Sequence, residues 1–214
     1  METVVEKEML PRIVGVDRHR LLTDGEGVTT LVAFHGCPLR CRYCLNPHAL
    51  TAPGRWRRYR CCDLYDMVKV DELYFLATGG GVTFGGGEPA LYPRFISEFR
   101  SLCGGNWSLA VETSLNVPES CVGRLLPVVN EFIVDVKDMN PDTYRRYTGK
   151  DNAPVLANLR LLLSHGRGGD VLVRIPLIPG HNTEDDCRRS REILGEMGFT
   201  RFDMFTYITD MDHE

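Results

Sequence analysis

An α/β fold built on parallel strands is what three features of the sequence predict. Short β-branched, apolar runs alternate with longer helix-like stretches. Several runs are apolar at consecutive positions, as happens when helices cover a sheet, and the unusual motifs fall just after the runs. Strict alternation implies right-handed crossovers, in an open doubly wound sheet or in a full or partial barrel.

Taken in order, strands are expected at Val28–Phe34 (VTTLVAF), 82–84, 109–112, 132–136, Val171–Leu177 and 202–207. Helices are expected between them, at 64–76, 93–102, 120–129, Ala153–Ser164 and Glu184–Met197. The last has the fullest end signals: Asn182 or Thr183 to cap it, Glu184, Asp185 and Asp186 in its first turn, and Gly198 beyond it. Asn140 before Pro141 opens a further short helix. The Gly-rich stretch ATGGGVTFGGGEP (77–89) reads as loop, strand and loop.

A chain of 214 residues is enough for one large domain with a substantial core, and no internal repeat or interdomain linker stands out, so a single domain over 1–214 is expected. Hydrophobic residues make up 43%, charged residues 25%, and the net charge is -4, which gives no global sign of nucleic-acid binding. The opening METVVEKEMLPR lacks the apolar run of a signal peptide, and nowhere do the about 18 uninterrupted apolar residues of a membrane span occur. A cytoplasmic protein is therefore expected. Eight cysteines in a reducing compartment point to metal or redox chemistry before disulfides.

The motifs share one position relative to the strands. Cys37-x3-Cys41-x2-Cys44 follows Phe34, Gly85-Gly86-Gly87-Glu88-Pro89 follows Phe84, and Glu112-Thr113, Asp135-Val136-Lys137-Asp138 and the stretch from Pro176 to Gly180 end later strands. In a parallel β/α architecture such ends gather on one rim, where ligand and catalytic sites lie.

Three thiolates on a short loop can face a common centre, and zinc and an iron–sulfur cluster compete for them. A structural zinc site wants a second ligand pair, and only the adjacent Cys61-Cys62 is in reserve. Three ligands on a four-iron cluster would leave one iron open to an outside molecule.

Cys-x3-Cys-x2-Cys with Tyr43 just before Cys44 resembles the signature of radical S-adenosylmethionine (SAM) enzymes. Together with TDGEGVTTLVAFHGC, GGGVTFGGGEP, DVKDMN and RIPLIPG, it makes the chain similar to the activating enzymes of glycyl radical enzymes, over about 23–207. The resemblance implies a partial (β/α)6 barrel of parallel strands with a [4Fe-4S] cluster and SAM at its C-terminal rim. It implies cluster ligation by Cys37, Cys41 and Cys44, and reductive cleavage of SAM to a 5′-deoxyadenosyl radical that removes a hydrogen atom from a glycine of a partner enzyme. Shielding such a radical is work that a barrel mouth can do. The resemblance further implies that Gly86, Gly87 and Glu88 approach the methionyl amine, that Asp135, Val136 and Lys137 hold polar groups of SAM, and that Arg174 reaches the cofactor. Tyr43, Cys44 and Leu45 would pack on adenine.

Four departures qualify the likeness. Gly85 stands where such activators often have Ser, and Glu112-Thr113 stands for an Asp-Thr pair that helps bind a monovalent cation, with a side chain one methylene longer. The end of the last strand reads Thr206-Tyr207-Ile208 where a Pro-Tyr-His is common, and His213 lies in the tail. Nothing like the eight further cysteines of an inserted ferredoxin-like domain is present, so one cluster is expected. Arg55, Arg57, Arg58 and Arg60 form a basic stretch that could dock an acidic flavodoxin or ferredoxin as electron donor, or simply be solvated. Cys103, Cys121 and Cys187 fall in helices and are expected to pack as small apolar residues. Besides an activase of a glycyl radical enzyme, two readings stay open: a radical SAM enzyme acting on a peptide or small metabolite, and a non-catalytic metal-binding or electron-transfer module.

Overall fold

The computed structural model describes residues 10–21, 24–50 and 56–207. Its strands are β1 (Arg12–Leu21), β2 (Val28–Phe34), β3 (Arg57–Arg58), β4 (Gly81–Gly86), β5 (Ser108–Thr113), β6 (Glu131–Asp135), β7 (Val171–Leu177) and β8 (Arg201–Thr206). They form one sheet in the order β3-β1-β2-β4-β5-β6-β7-β8. From β2 to β8 every pairing is parallel. The helices α1 (Cys61–Val68), α2 (Glu72–Thr78), α3 (Pro93–Cys103), α4 (Glu119–Leu125), α5 (Pro141–Thr148), α6 (Ala153–Ser164) and α7 (Glu184–Met197) lie in the connections. The sheet has two ends, as a partial barrel requires.

The sheet is not parallel throughout. β1 and the two-residue β3 run antiparallel at one end, and neither is in the expected set of six strands. β1 hides from a periodicity reading because its pairing with β2 slips twice, between Ile13 and Gly15 and between Asp17 and Arg20, and His19 within the second slip takes a φ of 59°.

The single helix expected at 64–76 is two helices joined by a 3₁₀ turn at Lys69–Asp71. Asp71 explains the break. Its carboxylate is fully buried and accepts from Arg18 Nε at 2.7 Å, pairs with His19 Nε2 at 2.9 Å and accepts from Thr30 Oγ1 at 3.2 Å. Reaching β1 and β2 in this way takes the backbone out of helical geometry at that residue. The helix expected at 120–129 ends early, at Leu125. α6 and α7 match their expected bounds, and α7 carries a full capping box between Thr183 and Asp186 with a left-handed Gly198 after it.

Each central strand has two unlike faces. Val32, Phe34, Val82, Phe84, Leu109, Val111, Phe132, Val134, Val171 and Val173 point outward and pack with Ile96, Phe99, Leu125, Leu159, Leu162 and Leu194 of the helices. Burial of one such side chain contributes about 1.5–3 kcal/mol. The alternate positions, Glu112, Asp135, Arg174 and Asp203 among them, turn inward. Arg174 sits opposite Asp135 on one side and Asp203 on the other in the strand register. Cys103 and Cys187 are buried and Cys121 half-buried, all on helices.

Candidate active site at the strand ends

The cysteine loop leaves β2 as irregular backbone, so its polar groups need partners. The His35 N–H donates to the Arg12 carbonyl at 2.8 Å and the Gly36 N–H to the Ala49 carbonyl at 2.7 Å. The C-terminal end of α5 takes two more, Arg40 N–H to the Thr148 carbonyl and Arg42 N–H to the Tyr147 carbonyl, each at 2.9 Å. Arg40 Nη1 folds back onto the carbonyls of Cys37 and Leu39 at 2.6 and 2.7 Å. Tyr147 Oη donates to the Tyr43 carbonyl. Leu39 is buried beneath the loop.

The loop above β4 is tied to it. The Gly87 N–H reaches the Phe34 carbonyl and the Glu88 N–H the Gly36 carbonyl, both at 2.8 Å, and Asn46 Nδ2 donates to the Gly86 carbonyl at 3.3 Å. Gly86 has a φ of 89°, and a Cβ there would lie 2.9 Å from the Ala33 Cα. Only glycine fits that turn.

Between these loops and the ends of β5, β6 and β8 lies a cavity of about 100 Å³. Cys37, Cys41 and Cys44 line it, with Tyr43 and Leu45, Gly86 and Gly87, Glu112 to Ser114, Asp135, Lys137 and Tyr207. Four of the five motifs that follow strands thus meet around one space; the stretch from Pro176 to Gly180 does not line it, and Tyr207 after β8 joins the wall instead.

Its polar wall is an ordered set of charges. Lys137 Nζ pairs with Asp135 Oδ2 at 2.8 Å and donates to Tyr207 Oη at 2.8 Å. Burial alone would lower the Lys137 pKa, but Asp135 and Tyr207 outweigh it and the net direction is upward, so the ammonium stays charged. Asp135 Oδ1 is buried with no hydrogen-bond partner among the described residues. Arg174 Nη1 pairs with Glu112 Oε1 at 2.6 Å, and its Nε lies 3.3 Å from Asp203 Oδ2. Burial and the Asp135 charge push Glu112 upward, with Arg174 opposing. Burial, reinforced by Glu88, pushes the Cys37 thiol up to about 12; burial takes Cys41 to about 11 against the pull of Lys137.

Of the residues expected at the site, three stand outside the cavity wall. Glu88 is fully buried beneath it, and its carboxylate accepts from Thr113 Oγ1 (2.6 Å), Ser114 N–H (2.9 Å), Ser114 Oγ (2.6 Å) and Ala90 N–H (3.1 Å). Its side chain fastens the β4 loop to the end of β5. Val136 is buried with the outer core, and its N–H donates to the Arg174 carbonyl at 2.9 Å. Arg174 acts on the wall through Glu112. Ser114, Asn46 and Tyr207 line the cavity without having been singled out as site residues. A polar residue directly after Glu112-Thr113 was the available signal for Ser114; Tyr207 was visible only as part of the departure from Pro-Tyr-His, and Ile208 and His213 lie outside the described residues. Arg57 and Arg58 form the edge strand β3, Arg60 pairs with Asp63 at 2.6 Å, and Arg55 lies outside the described residues.

Three free thiols, an adjacent ammonium and an unbonded carboxylate oxygen around one space suit a thiolate-held cluster together with a polar, charged ligand. The raised pKa values of Cys37 and Cys41 mean that binding through these two thiolates releases protons. Among the described residues no three His, Cys, Asp or Glu side chains converge on a single ion; a cluster, whose irons each take a different thiolate, does not require that.

Fold and site together define a class, a partial parallel barrel with a three-cysteine loop at its C-terminal rim. The sequence matches the Radical SAM superfamily over residues 31–188. It is 33% identical to the pyruvate formate-lyase 2-activating enzyme of Escherichia coli (strain K12), covering 88% of this chain and 74% of that one. It is 31% identical to the (2S)-3-sulfopropanediol dehydratase activating enzyme of Klebsiella oxytoca, covering 82% and 74%. Against the pyruvate formate-lyase-activating enzyme of Listeria monocytogenes it is 31% identical, over 70% of this chain and 62% of the relative. In fold it is similar to SuiB of Streptococcus suis bound to S-adenosylmethionine, with a TM-score of 0.62 at 14% identity over 81% of this chain and 39% of that one. The chain belongs to the radical SAM superfamily and, within it, to the activating enzymes of glycyl radical enzymes. That membership implies a [4Fe-4S] cluster and SAM.

Proposed function

We infer that this protein installs a glycyl radical on a partner enzyme, within one radical SAM domain carrying one cluster. The observation that carries the reading is the convergence of the three cysteines with the ends of β4, β5, β6 and β8 on a single cavity. Cys37, Cys41 and Cys44 would hold the cluster, and the backbone of Gly86 and Gly87 would face the methionyl end of SAM. Asp135 Oδ1, buried without a partner, is the acceptor best placed for a ligand amine or hydroxyl, and Lys137, held charged by Asp135 and Tyr207, would face an anionic group. Tyr43 and Leu45 offer the flat apolar surface for adenine. A monovalent cation would find its donors in Glu112 and Thr113, although Arg174 already occupies one Glu112 oxygen. When bound, cluster and SAM supply a one-electron cleavage whose radical product takes the glycine hydrogen.

The chain's own part is positioning and exclusion of water. Glu88 sets the distance between two rim loops, the α5 carbonyls of Tyr147 and Thr148 fix the cysteine loop, and Tyr207 closes the wall beside Lys137. The donor of the electron would be a flavodoxin or ferredoxin, and the place of action the cytoplasm. Among the described residues no helix is long and apolar enough to cross a membrane.

The test is anaerobic reconstitution, followed by incubation with SAM, reductant and a glycyl radical enzyme encoded nearby. A glycyl doublet in the electron paramagnetic resonance spectrum is expected, and Cys41→Ala should abolish both the doublet and 5′-deoxyadenosine. SAM cleavage without a doublet on any such partner would move the function to a peptide or small metabolite.

A further inference from the structure

A second cavity, of about 280 Å³, is lined by Arg42, Arg146, Tyr147, Gly180 and His181. It shares a wall with the first. Cys41, Tyr43 and Cys44 face the inner cavity, while Arg42, from the same four-residue stretch, faces the outer one. The partition is rigid: Arg42 N–H donates to the Tyr147 carbonyl at 2.9 Å, Tyr147 Oη donates to the Tyr43 carbonyl, and the Tyr147 ring lies 5.0 Å from that of His181.

Among the described residues the outer cavity is a cationic cleft with no carboxylate in its lining. Arg42 Nε is fixed on the Arg146 carbonyl at 2.9 Å, and Arg146 Nη2 touches Thr143 Oγ1 at 3.2 Å. Among the described residues neither guanidinium forms an ion pair, whereas neighbouring Arg145 pairs with Asp151 and Arg188 with Asp185. At the start of α7, Asp186 is taken by the Thr183 cap and Asp185 by Arg188, which leaves Glu184 as the exposed acid nearest the cleft in sequence. Two exposed guanidinium groups held side by side in a concave surface, outside any ion pair among the described residues although Arg146 lies within the field of the buried Asp138 carboxylate, suit an acidic partner.

We propose that this cleft is the landing site for a small acidic protein that carries one electron at a time. The inference rests on the reading of the cysteine loop as a cluster site. Its force is positional: a carrier seated on Arg42, Arg146 and His181 has only the cysteine loop and Tyr147 between itself and Cys41 and Cys44. The carrier gives up one electron, the loaded centre takes it up, and no bond is made or broken. The rival basic stretch is less suited, because Arg60 is neutralised by Asp63, and Arg58 and Arg12 lie over the Trp56 ring at 5.8 and 4.4 Å.

Two readouts test this on the anaerobically loaded protein. The first is the Kd for oxidised flavodoxin, by titration calorimetry at low and high ionic strength. The second is the rate of 5′-deoxyadenosine formation driven by reduced flavodoxin or, in parallel, by dithionite. Arg146→Glu, and separately His181→Glu on the facing loop, should each weaken flavodoxin binding by about tenfold at low salt, less at high salt, and slow flavodoxin-driven cleavage alike. Dithionite-driven cleavage should be unchanged. Unaltered Kd in both variants overturns the proposal, as does a loss confined to Arg57→Glu and Arg58→Glu. Normal flavodoxin binding with impaired radical installation on the partner enzyme would overturn it too, and assign the cleft to that partner. Wild-type protein that fails to cleave SAM even with dithionite would instead remove the cluster reading on which the inference stands.

Discussion

The outer and inner faces of the central strands are made by the same backbone and obey opposite rules. Outward, Phe34, Phe84, Val111, Phe132 and Val173 are fully buried against helices and have only dispersion and solvent exclusion to offer. Inward, Arg174 binds Glu112 and Asp203 while Asp135 binds Lys137, leaving Asp135 Oδ1 unused. The contrast teaches that the sheet's stability and its chemistry are separable. One face can be altered with little consequence for the purpose of the other.

The strongest test of that separation is Phe84→Ala, which should cost about 3–5 kcal/mol in denaturant unfolding while the protein that remains folded binds SAM normally. Glu88→Gln probes the seam between the faces. An amide cannot accept from both the Ser114 and Ala90 N–H groups, so an orphaned buried donor should cost about 1–3 kcal/mol. SAM affinity, read by calorimetry, should fall with it because both rim loops lose their anchor. Gly85→Ser tests the inner face by itself. A Cβ there would lie 2.7 Å from Glu112 Oε2 and 3.0 Å from Leu31 Cδ1, so overpacking of about 1–3 kcal/mol is expected, with partial rescue by the shorter side chain of Glu112→Asp. Additivity in that double-mutant cycle would show that the two positions are independent.

The smallest effect is expected away from both regions, at Asp71. Arg18 foremost, with His19, holds its carboxyl below the usual carboxylate range. Its contribution is therefore present at neutral pH and lost as pH falls from about 4 downward. Asp71→Asn should lower Tm by a few degrees at pH 7 and flatten the acid limb of the Tm profile.

The outer face was the legible one. Six strands and the main helices could be read because Val, Ile and Phe repeat where the core demands them, and α7 because its cap residues are local. β1 was hidden by its slipped register, and the break at Asp71 by a partner 53 residues away in sequence. At the site, spacing revealed the cysteines, and position after a strand revealed Glu112, Asp135 and Lys137. Glu88 was legible as a motif residue, but not as the fastener of β5, since Thr113 and Ser114 meet it only in three dimensions. The Gly85 and Glu112 departures looked unrelated in the sequence; in space the longer acid fills the room that a side chain at position 85 would need.

A sheet whose order begins at β3 and finishes at β8 is a wall and not a ring. A ring admits only what can be lowered into it from above. Among the described residues both edges of that wall stay unjoined, so the strands by themselves do not shut the centre off from the side.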